Sequence, residues 1–408
     1  MTGKYEITGV DGFAVKSPGI MAKMASRLVP PLVAGRVVIE LPSGERIERR
    51  GAAPGPDVLV SIHRSRAFLR LALGGDVAFA SSYLDGDWST PDLLRLFELV
   101  MLNESVFRQS QKPALPMRLL AVLRHGAHRN TRRGSRRNIA EHYDLGNDFY
   151  RPWLDEGMSY SAATFAGKET LEEAQRNKIA RVAELLQIEG GERVLEIGCG
   201  WGALAEGLVR GRGCHVTGIT LSEEQCAYSR DRMRQEIEEG KAEIRLQDYR
   251  DVVGRFERIV SIEMFEAVGQ AYWTTYFRAL KERLAEGGTA VLQVITIAED
   301  RFDQYRRTPD FIQRYIFPGG MLPTKNHLHD LATRVGLRIS DEVSFGGSYA
   351  KTLAEWRARF LNAWPRLQTI GFDDRFRRMW DYYLAYCEAG FLAGATDVVL
   401  IKLKHEPA

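Results

Sequence analysis

The rhythm of apolar and polar positions changes several times along the chain. Arg36-Val37-Val38-Ile39-Glu40-Leu41, a Pro42-Ser43-Gly44-Glu45 turn and Arg46-Ile47-Glu48 predict a hairpin, and Val58-Leu59-Val60-Ser61-Ile62 predicts another strand. Helical spacing takes over at Arg64–Leu73, Val77–Leu84 and Pro91–Leu102, whereas residues 1 to about 25 carry little periodicity beyond a short stretch at Ile20–Met24. From Leu171 the elements alternate. The pattern predicts helices at Leu171–Gln187, Ala203–Gly211, Ser222–Glu239 and Trp273–Leu284. Strands are predicted from Val194 and at His215–Thr220, Ala242–Gln247, Arg258–Glu263 and Thr289–Ile297. Such alternation implies an α/β fold, a doubly wound parallel sheet with helices on both faces, behind a smaller N-terminal α+β unit. Ligands of these sheets lie beyond the carboxyl ends of the strands, where the strand order switches.

One stretch falls at that place. Val194-Leu195-Glu196-Ile197-Gly198-Cys199-Gly200-Trp201-Gly202 reads as a buried strand entering a glycine-rich turn before a helix. Glycines at 198, 200 and 202 leave the backbone open to a ligand and permit positive φ. Alone, the turn is compatible with a structural role, a dinucleotide, a nucleotide or S-adenosylmethionine. A dinucleotide calls for an acid at the tip of the second strand, but that strand ends Gly218-Ile219-Thr220-Leu221-Ser222. Acids stand instead at Glu196 and in Gln247-Asp248-Tyr249, where a carboxylate can take an adenine amino group and an aromatic can stack. This favours S-adenosylmethionine over NAD.

Composition narrows the setting. The 56 basic and 53 acidic residues leave a net charge of only +3, which implies no polyanion partner by itself. The four cysteines show no CxxC spacing, so neither a zinc site nor a disulfide framework is expected; no metal is expected, and a reducing cytoplasm fits. No apolar run approaches the roughly 20 residues that span a bilayer, and no signal-peptide pattern is found. Charge is concentrated locally: Arg118, Arg124, Arg129, Arg132, Arg133, Arg136 and Arg137, with His125 and His128, are interrupted by no acid. Such a run suits a solvated linker or anionic lipid head groups; lacking interleaved aromatics, it does not favour nucleic acid.

At His142-Tyr143-Asp144-Leu145-Gly146-Asn147, Met158-Ser159-Tyr160-Ser161, Leu195–Gly202, Met264-Phe265-Glu266, Tyr315-Ile316-Phe317-Pro318-Gly319-Gly320 and Gly347-Ser348-Tyr349, the chain resembles the cyclopropane fatty acid synthases and their mycolic acid relatives. These are S-adenosylmethionine-dependent methyltransferases acting on lipid double bonds, and the resemblance covers roughly residues 70 to 400. It implies a Rossmann-like class I methyltransferase domain at 138–408, with an aromatic acyl-chain insert around 298–350. A basic linker at 118–137 and an N-terminal accessory domain at 1–117, in one reading lipid-presenting, would precede it. It also implies cofactor contacts from Tyr143, Tyr160, Ser161, Gly198, Gly200, Gly202, Thr220, Ser222, Gln225, Gln247 and Asp248, to which the strand-tip reading adds Glu196.

Methylating a carbon–carbon double bond leaves a carbocation that water would quench. A dry site lined by aromatic faces is therefore expected. Tyr305, Phe311, Tyr315, Phe317 and Tyr349 are candidates, with Tyr383 and Phe391 behind them. Ring-closing members of the family hold a bicarbonate as base through cysteine, glutamate, histidine and tyrosine. Glu266 and Tyr349 match the last-named acid and phenol, but Ala162 replaces the cysteine and Gln293 the histidine. These departures count against bicarbonate and against ring closure, so methyl- or methylene-branched products stand beside a cyclopropane. The expected substrate is an unsaturated phospholipid at the inner face of the membrane, reached by a cytoplasmic, peripherally bound enzyme that releases S-adenosylhomocysteine. A homodimer contact and a separate reductase completing the product are compatible with this reading. Two rivals are a lipid- or cofactor-binding module without turnover, and a methyltransferase of nucleic acid or a small molecule.

Overall fold

A computed structural model describes residues 6–8, 19–110 and 145–407. The basic run at 118–137 and Tyr143 lie outside the described residues. Two compact units are present, and they do not follow chain order: the first takes the described residues up to Ser110 together with 308–315 and 364–393, the second the remainder. Within the stretch around 298–350, residues 308–315 belong to the first unit and the rest to the second.

The first unit is built on strands β1 (Glu6–Thr8), β2 (Ala34–Glu40), β3 (Arg46–Arg50), β4 (Ala53–Ile62) and β5 (Trp88–Ser89), ordered β1-β3-β2-β4-β5. Val37, Ile39, Ile47, Val58, Val60 and Ile62 alternate inward, as a sheet with one covered face requires. Gly75, at φ 60°, breaks the helix Arg66–Leu84 where the sequence predicts two stretches. Asp87, whose side chain has no exposed surface, pairs with Arg66 at 2.7 Å and Arg70 at 3.2 Å.

The second unit carries seven strands: β6 (Arg193–Ile197), β7 (His215–Thr220), β8 (Ala242–Leu246), β9 (Phe256–Ile262), β10 (Leu284–Ile297), β11 (Leu337–Ser344) and β12 (Thr396–His405), ordered β11-β12-β10-β9-β6-β7-β8. β12 pairs antiparallel with both β10 and β11, and the pairs from β10 through β9, β6 and β7 to β8 are parallel. Alternate residues of the same strands feed two cores. Leu195, Ile259 and Leu292 meet the helices Trp273–Arg283 and Lys325–Val335 on one face. Val194, Val260 and Val291 meet Leu171–Leu186 and Ala203–Arg212 on the other. The strand order reverses between β6 and β9, and Ser261 Oγ donates to Ile197 O at 3.1 Å across that junction. The glycine turn after β6 and the residues after β9 therefore leave the sheet side by side.

Candidate active site

Gly198, Gly200 and Gly202 all have positive φ (84°, 54° and 84°), but their surroundings differ. A Cβ at Gly198 would stand 2.9 Å from Met264 Cγ; one at Gly200 would meet nothing within 4 Å. Gly200 is thus the point where the backbone lies bare. Glu196, 3% exposed, keeps Oε2 buried without a hydrogen-bond partner, and burial pushes its pKa up to about 8. A bare backbone beside an orphaned carboxylate oxygen fits a polar ligand on this turn.

The other expected cofactor residues gather at neighbouring strand tips. Thr220 Oγ1 donates to Gln225 Oε1 at 2.9 Å, and Ser222 caps the following helix by accepting from Gln225 N at 3.2 Å. Asp248 forms a 2.6 Å ion pair with Arg250, and Gln247 Nε2 donates to Asp251 O at 2.8 Å. Ser161 Oγ accepts from Lys178 Nζ at 2.7 Å. Tyr160 lies 5.1 Å from Trp356, itself 6.1 Å from Tyr349, so these rings form an aromatic wall.

Glu266 and Tyr349, matched by resemblance to two of the four residues that hold bicarbonate and expected to organise proton removal, have different partners. Tyr349 Oη donates to Glu263 Oε2 at 2.7 Å. Glu263 Oε1 accepts from Ala162 N at 2.8 Å and from Gln293 Nε2 at 2.7 Å. Glu266 turns to β10, taking the Ile295 N–H on Oε1 while Oε2 is buried and unpartnered. Burial first, then the Glu263 charge, pushes Glu266 up to about 8, so it is largely protonated at neutral pH. Burial also raises Glu263, while Tyr349, Ala162 N, Gln293 and Lys178 pull it back. A bicarbonate does not fit this arrangement: the Ala162 N–H, the Gln293 amide and the Tyr349 hydroxyl already serve Glu263.

The aromatic candidates are divided between the two units. Tyr305 Oη accepts from Leu322 N at 3.3 Å in the second unit. Phe317 belongs to the same unit, in a segment tied to Glu266 by a 2.9 Å bond from Met321 N to Glu266 O. Phe311, Tyr315, Tyr383 and Phe391 belong to the first unit, where Tyr315 lies 5.2 Å from Phe311.

Sequence reasoning passed over Glu263, Lys178, Asp155 and Trp356. Lys178 is 3% exposed, and desolvation lowers its pKa against the charges of Asp155, Glu263 and Glu196. Its signal was readable: a lysine seven residues after Leu171 on the buried stripe Leu171, Ala174, Val182, Leu185. Glu263 had one too, as an acid at a parallel-strand tip.

The family model described as mycolic acid cyclopropane synthetase matches residues 130–401. The chain belongs to that family. It is 40% identical over 362 residues to the tuberculostearic acid methyltransferase of Mycobacterium tuberculosis, covering 85% of this chain and 83% of the relative. It is 35% identical over 363 residues to the cyclopropane-fatty-acyl-phospholipid synthase of Escherichia coli K12, covering 88% and 90%. The crystal structure of a mycolic acid cyclopropane synthase complexed with S-adenosylhomocysteine and CTAB superposes with a TM-score of 0.62 at 29% identity, over 66% of this chain and 97% of that one. As a cyclopropane synthase family member, this chain is an S-adenosylmethionine-dependent methyltransferase with the class I fold, and it modifies lipid acyl chains.

Proposed function

We propose that the protein transfers a methyl group to the double bond of an unsaturated acyl chain in a membrane phospholipid, through a carbocation. The product is a methyl- or methylene-branched chain or a cyclopropane. The observation that carries the phospholipid reading is the extent of the match. The mycolic acid enzyme covers 66% of this chain, whereas the phospholipid synthase covers 88%, most of the first unit included. The additional length is thus shared with a relative named for a phospholipid, which supports a lipid-presenting role for the first unit.

When bound, S-adenosylmethionine supplies an electrophilic methyl group on a sulfonium. The glycine turn and Glu196 hold it at the switch between β6 and β9, with Tyr160, Ser161, Thr220, Ser222, Gln225, Gln247 and Asp248 around it. Tyr160, Trp356 and Tyr349 exclude water and present π faces, each able to stabilise a desolvated cation by about 2 kcal/mol. Tyr315 and Tyr143 remain candidates for the acyl chain and the cofactor, respectively. The basic run at 118–137 engages anionic head groups at the inner membrane face, and no helix of the described residues is long and apolar enough to cross the membrane. A branched product is favoured over a ring because Ala162 and Gln293 replace the residues that hold bicarbonate in ring-closing members. A methylene branch becomes a methyl branch only if a separate reductase supplies a hydride.

The test is lipid mass spectrometry on cells expressing the protein and fed methionine labelled in its methyl group. Label on phospholipid acyl chains is expected. Its absence from every acyl chain would sink the reading.

A further inference from the structure

Glu263 makes the three hydrogen bonds that an external base would need. Its Oε1 accepts two of them, from Ala162 N and Gln293 Nε2, and Oε2 accepts only one, from Tyr349. A carboxylate offers about four acceptor sites, so one lone pair remains on Oε2. The carboxyl is packed deep at the end of β9, in a residue that is only partly exposed. Its backbone adds an independent observation. Glu263 sits at φ 49°, in the left-handed region that side chains other than glycine enter rarely, and it caps no helix, unlike Gln187 at φ 56°. Its N–H donates to Gln293 O at 2.8 Å, fixing the turn that aims the side chain back at Gln293 and Tyr349. Strain of this kind persists where the surroundings over-determine it, and such places cluster at working sites.

We infer that Glu263 is the general base of the reaction, a carboxylate belonging to the chain that does the work of an external bicarbonate. This rests on the double-bond reading above. The π pair of the double bond forms the new C–C bond to the methyl carbon as the C–S bond breaks, its electrons leaving on the thioether sulfur. The adjacent carbon is then cationic. Glu263 Oε2 takes a proton from the new methyl group, and the freed C–H pair either closes a ring or, after a hydride has moved from the methyl-bearing carbon to the cation, forms a methylene double bond. Either way Glu263 ends as the neutral acid and returns its proton to solvent between turnovers. The charged or titratable groups facing it are Glu266, Tyr349 and Lys178.

The left-handed backbone supplies a clean variant. Glu263→Gly relaxes φ, which offsets part of the cost of leaving the three donors it frees without an acceptor. We expect kcat to fall about a hundredfold or more, with the affinity for S-adenosylhomocysteine nearly unchanged and turnover restored by millimolar formate or bicarbonate. Glu263→Gln, which fills the same space, should be equally slow and not rescued. Wild type should run at one rate in carbon dioxide-stripped and bicarbonate-supplemented buffer. Tyr349→Phe removes a donor from the charged form and should move the acid limb of the kcat profile to higher pH. A readout independent of turnover is 13C-bicarbonate binding by NMR: Glu263→Gly should bind it and wild type should not. Bicarbonate binding to wild type, a wild-type rate that rises saturably with bicarbonate, or a folded Glu263→Gly that is either fully active without added anion or rescued by none would overturn the proposal. If wild type modifies no phospholipid at all, the double-bond reading falls, and the binding arm still reports whether Glu263 fills the anion position.

Discussion

Glu263 and Glu266 stand three residues apart on the same turn, and their environments separate them. Burial is the largest influence on both and raises both, but three donors and the Lys178 charge pull Glu263 back toward the ionised form, whereas Glu266 has a single backbone donor and a buried, unpartnered oxygen. Because the folded pKa of Glu266, about 8, lies above the ordinary carboxylate value, the folded protein holds that proton through neutral pH. The resulting stability is fully present below the ordinary carboxylate range and is lost as pH rises through about 8. Glu266→Gln mimics the neutral acid. Thermal melts should therefore show variant and wild type alike near pH 5, with the variant ahead by several degrees at pH 9; a difference that does not grow with pH would contradict the assignment.

At the scale of elements, the glycine turn makes two jobs separable. Alanine at Gly198 must displace Met264 and adopt a strained φ, which should cost about 2–4 kcal/mol of stability. Alanine at Gly200 carries the strain alone, about 1–2 kcal/mol, but projects a methyl group into the ligand's path. Calorimetric titration with S-adenosylhomocysteine should find affinity reduced at least tenfold in Gly200→Ala; an unchanged affinity would remove the turn from the cofactor site. This turn was legible beforehand because β6 is apolar on both faces and the glycines end it. The helix carrying Lys178 was legible as a helix, but a charge on its buried stripe went unread. Glu263 was legible as an acid at a strand tip, but its role was not. Its role depends on a left-handed residue turning a strand tip back toward β10, and neither periodicity nor composition encodes that turn.

At the scale of the whole molecule, the alternation from Leu171 to Ile297 sufficed to predict the wound sheet, because the central strands β6, β9 and β10 are largely buried on both faces. It could not assign residues 308–315 and 364–393 to the first unit, since that grouping joins segments distant in the chain. The phospholipid proposal adds a surface requirement. Replacing Arg132, Arg133, Arg136 and Arg137 by glutamine should weaken binding to anionic vesicles by about 1 kcal/mol per residue, approaching a thousandfold together. Raising salt should reproduce the loss in wild type, and sedimentation with vesicles measures both; unchanged, salt-independent binding would remove the basic run from the membrane contact.

The central claim is that a methyl group reaches an acyl double bond and then gives up one proton to the protein. The most direct measurement incubates the purified protein with vesicles of a monounsaturated phospholipid and S-adenosylmethionine carrying a trideuterated methyl group, then follows the acyl chains by mass spectrometry. The account predicts one added carbon per modified chain, bearing two of the three deuteriums. Retention of all three would mean that the proton is lost elsewhere, and an unmodified acyl chain would contradict the account outright.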